Sequence, residues 1–305
     1  MAELYSASGD VRLTEDIAGE YILALGDRES LFGHPNITYG GTFAASGSLT
    51  RKFPIVSAMG IDRMAAVAEN ASTTPTDMGK SSTTITGSRQ ALERGQSDIN
   101  EMVDGVGFNI ALLVMDGLGA YVMRWQEMLC ETADFTDSVG STTVNNDIDD
   151  VFSAKATLIN NSVGGLLLGT VYPHQYNQIV ASARSETGAF QYREDVQAIF
   201  NAGASMGFKG NFLGIDWFTS TLVPTINAGA DSRGSIVGPG AIGYMDGSPR
   251  HIQYANGAVI QQGQAIWTEF GRDASGAITK VVHNSVLGFG VLEQRGVDFM
   301  GRRTT

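Results

Sequence analysis

Phe208-Lys209-Gly210-Asn211-Phe212-Leu213-Gly214-Ile215-Asp216-Trp217-Phe218-Thr219-Ser220-Thr221-Leu222-Val223-Pro224 alternates large apolar with small polar residues, is punctuated by glycine and stops at a proline. This pattern predicts a short strand with one buried face that ends sharply. About forty residues earlier, Gly165-Leu166-Leu167-Leu168-Gly169-Thr170-Val171-Tyr172-Pro173-His174-Gln175-Tyr176-Asn177-Gln178-Ile179-Val180 reads as a buried strand running into a helix. Pro173 falls in the first turn of that helix, where a missing N–H costs no intrahelical bond. A strand, a proline-started helix, a glycine-containing link with a second helix and a closing strand build a wall more naturally than a pocket.

A chain of 305 residues, 43% of them apolar, has enough to bury one large core or two modest ones and is globular rather than disordered. Charged residues make up only 17%, against roughly 25% in an ordinary soluble domain, and there are 38 glycines. Weakly charged surface rich in Gly, Ser, Thr and Asn is expected where neighbouring copies cover one another, because interface cores are depleted in charge. A weakly charged monomer is the other reading of the same composition. The balance of 20 basic against 32 acidic side chains, a net charge of −12, disfavours sequence-specific nucleic-acid binding, which needs clustered Lys and Arg. Cys130 is the single cysteine, so no intrachain disulfide forms, and its apolar helical surroundings predict a buried, inert thiol. The start Met1-Ala2-Glu3-Leu4-Tyr5-Ser6 is polar and acidic and no apolar run reaches 18 residues, so neither a secretory signal nor a membrane span is expected.

Along the chain, residues Asp16 to Leu25 carry Ile17, Tyr21 and Leu25 at helical spacing and suit one short helix. Strand-like alternation follows from Asn36 to Ile61, a turn-rich tip from Asn70 to Lys80, and a returning β-prone stretch from Ser81 to Thr86. Residues 36 to 90 thus read as a long two-stranded excursion, which is barely stable alone and needs something to lie on. The strongest helix runs from Asn109 to Glu131, with Ile110, Leu113, Val114, Leu118, Tyr121, Val122, Trp125, Met128 and Leu129 at i, i+3, i+4 and i+7. Gly117 and Gly119 either admit another backbone at close range or mark a break. Asp134 to Asp150 is a polar linker whose aspartates lack calcium-loop spacing and are better read as capping the helix Ile148 to Ile159. After Pro224, Ala228 to Gly234 reads as a mobile loop, and residues from Val259 to Leu292 as a meander of strands.

The search for chemistry is negative. His34, His174, His251 and His283 show no zinc-type pairing, and neither a phosphate-binding glycine loop nor a nucleophile elbow is present. Gly117-Leu118-Gly119 sits within the predicted helix, where a dinucleotide fingerprint would be misplaced. His174, at a helix start, and Glu186, Glu194 and Asp195 are read as solvated helix residues. No catalytic residue, cofactor or metal ligand is expected.

The order of segments, together with "VYPHQYNQIV" and "FLGIDWFTSTLVP", resembles the tailed-bacteriophage major capsid proteins, the Hong Kong 97 fold. The resemblance implies an α+β chain with an N-terminal arm (1–35), an extended loop (36–97) and a peripheral domain with a spine helix (98–146). An apical α/β domain (147–250) and returning strands of the peripheral domain (251–305) complete it. The implied function is structural: self-assembly of pentamers and hexamers into an icosahedral shell around a double-stranded DNA genome, in a virion built in the host cytoplasm. Implied partners are other copies of the chain, a separate scaffolding protein, a portal, a decoration protein and packaged DNA contacted without specificity; a membrane is not among them. Residues 1 to 35 are too short for a fused scaffolding region, and nothing around Lys52 or Lys80 identifies an isopeptide cross-link. Contact candidates are Lys52, Phe53 and Ile55 on the extended loop, Trp217 and Phe218 on the apical wall, and Asp231 and Arg233 on an axis-proximal loop. Ordinary core burial is the alternative for the two aromatic residues. An encapsulin-like nanocompartment shell, or an enzyme whose site is assembled from distant residues, are the alternative functions.

Overall fold

The computed structural model describes residues 31, 33–43, 48–56, 80–98, 110–185, 208–247, 259–262 and 265–303. The helix expected at Asp16 to Leu25, the loop tip at residues 70–79, His251 and the residues Glu186, Glu194 and Asp195 lie outside these. Two sheets organise the chain. In the first, β1 (Ile37–Thr42), β11 (Ile242–Gly247), β14 (Ile278–Val291), β13 (Ile266–Asp273) and β12 (Val259–Gln262) run side by side, and β4 (Ser88–Ser97) lies on the opposite edge of β14 from β13. In the second the order is β5 (Ser138–Val139), β15 (Gly296–Arg302), β10 (Asp231–Val237), β6 (Leu167–Val171), β8 (Ile215–Thr219), β7 (Phe208–Phe212), with β9 (Thr225–Ile226) paired to β10. A separate ribbon of β2 (Thr50–Val56) and β3 (Lys80–Thr86) belongs to neither sheet.

The long helix α1 (Ile110–Thr132) is unbroken and 23 residues long, about 35 Å at 1.5 Å per residue. Its buried stripe of Leu118, Tyr121, Val122, Trp125 and Leu129 follows the spacing read from sequence and lies on the first sheet. Trp125 meets Tyr244 and Phe289 edge-on, each at a centroid distance of 5.3 Å. Gly117 is where the helix comes closest to β14, because a Cβ there would overlap the imidazole of His283. That ring is buried, and its Nδ1 lies 2.9 Å from Thr268 Oγ1, a contact that any displacement of the ring would disturb. Cys130, on the same helix, is buried, and burial pushes its thiol up to about 12.

The second sheet is buried on both faces. On β6, β8 and β10 the neighbours Leu167 and Leu168, Trp217 and Phe218, and Ile236 and Val237 divide between two cores. The first of each pair packs with α2 (Ile148–Asn160) and α3 (Pro173–Ser185), and the second joins the core beneath α1. The single buried face expected of the Phe208 to Pro224 segment is therefore corrected to two. That segment is also a hairpin, not one strand: β7 and β8 are antiparallel around Leu213 and Gly214, with φ of 58° and 74°. Positive φ at both central residues is the requirement of a type I′ turn, and leucine rarely adopts it, which hid the turn.

Pro173 opens α3 as predicted, and Gln175 one turn in accepts from the Tyr172 N–H and donates to the carbonyl of Ser232. Asp147 and Asp150 cap α2 reciprocally: each side chain accepts from the other's backbone N–H, at 2.9 and 3.1 Å. The acidic linker thus caps the helix that follows it. Ala228 to Gly234 is not a mobile loop; a single 3-10 turn leads directly into β10, which pairs with β15 over seven residues.

Strand pairing crosses the boundaries expected from sequence. β1 and β4 of the 36–97 span and β11 of the 147–250 span are strands of the first sheet, while β15 near the C-terminus belongs to the second.

Gly117→Ala tests the helix–sheet approach. Helix propensity alone favours alanine by about 1 kcal/mol, but overpacking that displaces the His283 ring from Thr268 costs about 1–3 kcal/mol. The expected net effect is a loss of about 1 kcal/mol, read as a lower urea midpoint; an unchanged or higher midpoint contradicts this packing.

Candidate assembly interface

The β2–β3 ribbon is the element least supported by its own chain. Seven residue pairs join it, from Thr50 opposite Thr86 to Val56 opposite Lys80, and among the described residues no third strand adds to either edge. Two strands alone are marginal in water and leave rows of unpaired N–H and C=O groups. Its root, however, is firmly seated. Ile85 is 0% exposed and packs with Phe43 and Met245, and the partly buried Phe53, Val286 and Leu292 join them. β14 makes room with two glycines: a Cβ at Gly288 would lie 2.8 Å from the carbonyl oxygen of Thr86, and one at Gly290 2.9 Å from Ile85. The Gly87 N–H donates to the carbonyl of Leu49 at 2.7 Å and closes the base.

The period of two along a strand gives the ribbon unlike faces. Phe53, opposite Thr83, turns inward, its ring against Gly40 of β1. Thr50, Lys52, Pro54, Ser82, Thr84 and Thr86 make up the other face, and all six are exposed. Lys52 and Phe53 therefore stand on opposite faces and do not meet one neighbour together. Phe53 anchors the ribbon to its own subunit, and Lys52 points away from it. Ile55 pairs with Ser81 further out along the ribbon.

The remaining contact candidates lie inside the subunit. Trp217 is 0% exposed, its indole N–H donating to the carbonyl of Phe212, and Phe218 is buried in the opposite core. Both are corrected from wall surface to core, for the reason given above: their strand is covered on both faces. Asp231 is also fully buried; its carboxylate accepts from the Thr143 N–H at 2.9 Å and from Asn227 Nδ2 at 2.8 Å. The axis-proximal loop assigned to it is the start of β10. Arg233, largely buried on the same strand, donates to Asp134 at 2.7 Å.

A cleft of about 200 Å³ opens between α1, β4 and β14, lined among others by Gln90, Tyr121, Arg124, His283 and Ser285. Arg124 at its edge is bound to Gln90 and Glu127. Among the described residues no three His, Cys, Asp or Glu side chains come together as a metal site, and no helix is long and apolar enough to cross a membrane.

This arrangement of elements has counterparts in overall fold among solved structures. The capsid of Ralstonia phage GP4 superposes with a TM-score of 0.59 at 9% identity, over 88% of this chain and 87% of that one. This is the Hong Kong 97-type fold of phage capsid proteins. The capsid of cyanophage P-SCSP1u matches with a TM-score of 0.54 at 13% identity, over 91% and 90% of the two chains. An encapsulin complex from Synechococcus elongatus shares the fold as well, at a TM-score of 0.53 and 10% identity, over 99% of this chain and 93% of that one. No family model and no curated protein matches the sequence.

Ile85→Ala tests the seating of the ribbon. Removing a fully buried isoleucine side chain costs about 2–5 kcal/mol. The expected outcome is a lower thermal midpoint together with earlier proteolytic cleavage within residues 50–86; cleavage there at the wild-type rate contradicts the root described here.

Proposed function

We propose that the chain is a shell-forming capsid protein that assembles with copies of itself around a viral double-stranded DNA genome. The observation that carries this reading is the extent of the likeness: the matched capsid chains correspond in fold to about nine-tenths of this one. A single domain borrowed from such a shell would match over less. The physical features agree. The chain is poor in charge, the β2–β3 ribbon belongs to neither large sheet among the described residues, and the second sheet is buried on both faces. Weak contacts suffice for such a shell, because many of them act at once.

In this reading the outer face of the ribbon, with Lys52, lies on a neighbouring copy. The net charge of −12 makes an acidic neighbour the common case for any lysine on the surface. Scaffolding, portal and decoration proteins and the packaged DNA are the further partners such a shell would have, with the virion as its location.

A nanocompartment shell is the second reading, favoured by the encapsulin match over nearly the whole chain. The two differ in content. Shells isolated from the native source are expected to hold nuclease-protected double-stranded DNA; a discrete co-purifying protein without nucleic acid would move the assignment to the nanocompartment.

Lys52→Glu tests the ribbon's role in assembly. The residue is exposed and surface changes of this kind rarely alter folding by more than about 0.5 kcal/mol. The expected result is a normally folded subunit with at least a tenfold lower yield of closed shells by sedimentation. Wild-type yield would remove Lys52 from the interface.

A further inference from the structure

The stretch Ala133–Asp137 leaves the end of α1 and crosses β15 on the face away from α2 and α3. Its grip on that strand is specific. The ring of Phe135 lies over Gly296, where any Cβ would overlap it. The Phe135 N–H donates to Asp298 Oδ1 at 3.0 Å, and the Asp298 N–H donates to the carbonyl of Asp137 at 2.9 Å. This crossing ties the core beneath α1 to the second sheet, so its strength bears on how the two sheets are held together.

Asp298 is 5% exposed. Two charged groups face it. Arg233 on β10 places Nε 3.9 Å from Asp298 Oδ2, and Asp134 on the crossing segment accepts from Arg233 Nη1 at 2.7 Å. The residues opposite it in register, Ser235 on β10 and Ser138 on β5, are neutral. One guanidinium therefore serves two carboxylates on two different elements, and it is bonded to the exposed one. Its buried Nε–H has no hydrogen-bond partner among the described residues, and 3.9 Å is about 0.7 Å beyond hydrogen-bond range. A buried carboxylate with one backbone donor, next to a buried unspent N–H, is an arrangement that loss of a proton unbalances.

We propose that Arg233 is a two-position latch, held by Asp134 while Asp298 is protonated and drawn onto Asp298 when that carboxyl ionises. In the first position the guanidinium ties β10 to the crossing segment. In the second it ties β10 to β15, and the crossing segment loses its ion pair. Burial pushes the Asp298 carboxyl up to about 6, against the opposing pull of the Phe135 N–H and Arg233, so the change falls between about pH 5 and 7. Linkage fixes the sign. The carboxyl holds its proton more tightly in the described arrangement than with Arg233 drawn onto it, so acid favours the described arrangement, and that preference is lost as pH rises toward about 6.

Structures of the wild type at pH 5 and pH 8, as subunit or as shell, decide the matter, since the distances are internal to one chain. At pH 5 the Arg233–Asp134 contact is expected with Nε about 4 Å from Asp298, and at pH 8 Nε within about 3 Å of Asp298 Oδ2. Asp298→Asn keeps an acceptor for the Phe135 N–H and removes the charge, so it is expected to show the pH 5 arrangement at both values. If that variant does not fold, Asp134→Asn serves, with Arg233 on Asp298 at pH 8 and released at pH 5. The same Arg233 position at both pH values in the wild type, or a switch that persists in Asp298→Asn, overturns the latch. Failure to form shells leaves it untouched and bears only on the proposed function.

Discussion

Trp217 and Phe218 are bonded neighbours that lie in different cores, and most of the architecture follows from that fact. An extended chain sends successive side chains to opposite sides, so a strand with two consecutive large apolar residues needs cover above and below. In the second sheet α2 and α3 cover one face, and α1 with the first sheet covers the other. Three adjacent strands repeat the division. The two sheets thus share one core between them and cannot be separate globules joined by a flexible tether. The crossing of Phe135 over Gly296 adds a second tie at the edge of that shared core.

This constraint also determines which surfaces are left for other molecules. The central strands of the second sheet have no free face, and residues such as Asp231 that read as loop are internal. The β2–β3 ribbon is the contrary case. Ile85, Phe53 and the glycines of β14 hold its root, while six hydroxyl, lysine and proline positions form a face that none of the described residues covers. Such a face is too polar to drive association alone. It suits a contact repeated many times in a closed shell, where each copy contributes little and geometry provides the cooperativity.

The sequence was most legible where local periodicity decides structure. The long helix α1, the helix capped by Asp147 and the Pro173 start lie within a residue or two of their expected places, whereas of the excursion read over residues 36–90 only Thr50–Val56 and Lys80–Thr86 form the ribbon. What it hid is non-local. β4, with the sequence SRQALERGQS, carries almost no apolar signal because its ten-residue ladder to β14 and ion pairs such as Lys280 with Glu93 hold it. β1 pairs in parallel with a strand two hundred residues away. The Leu213–Gly214 turn uses a residue type that rarely accepts positive φ. Of the contact candidates, Lys52 is on open surface, whereas Trp217, Phe218 and Asp231 are internal, because apolar alternation does not reveal whether the second face is also covered. The pairing of Arg233 with Asp134 and Asp298 has no sequence signal at all, being made by residues as much as 164 positions apart.

The central claim is the proposal that this two-core chain assembles with its own copies into a closed shell. Electron microscopy of the purified protein, concentrated and supplied with any scaffolding protein encoded beside it, tests that claim most directly. Uniform closed particles, or rings of five and six subunits, are the predicted result. A subunit that stays monomeric under those conditions would contradict the account.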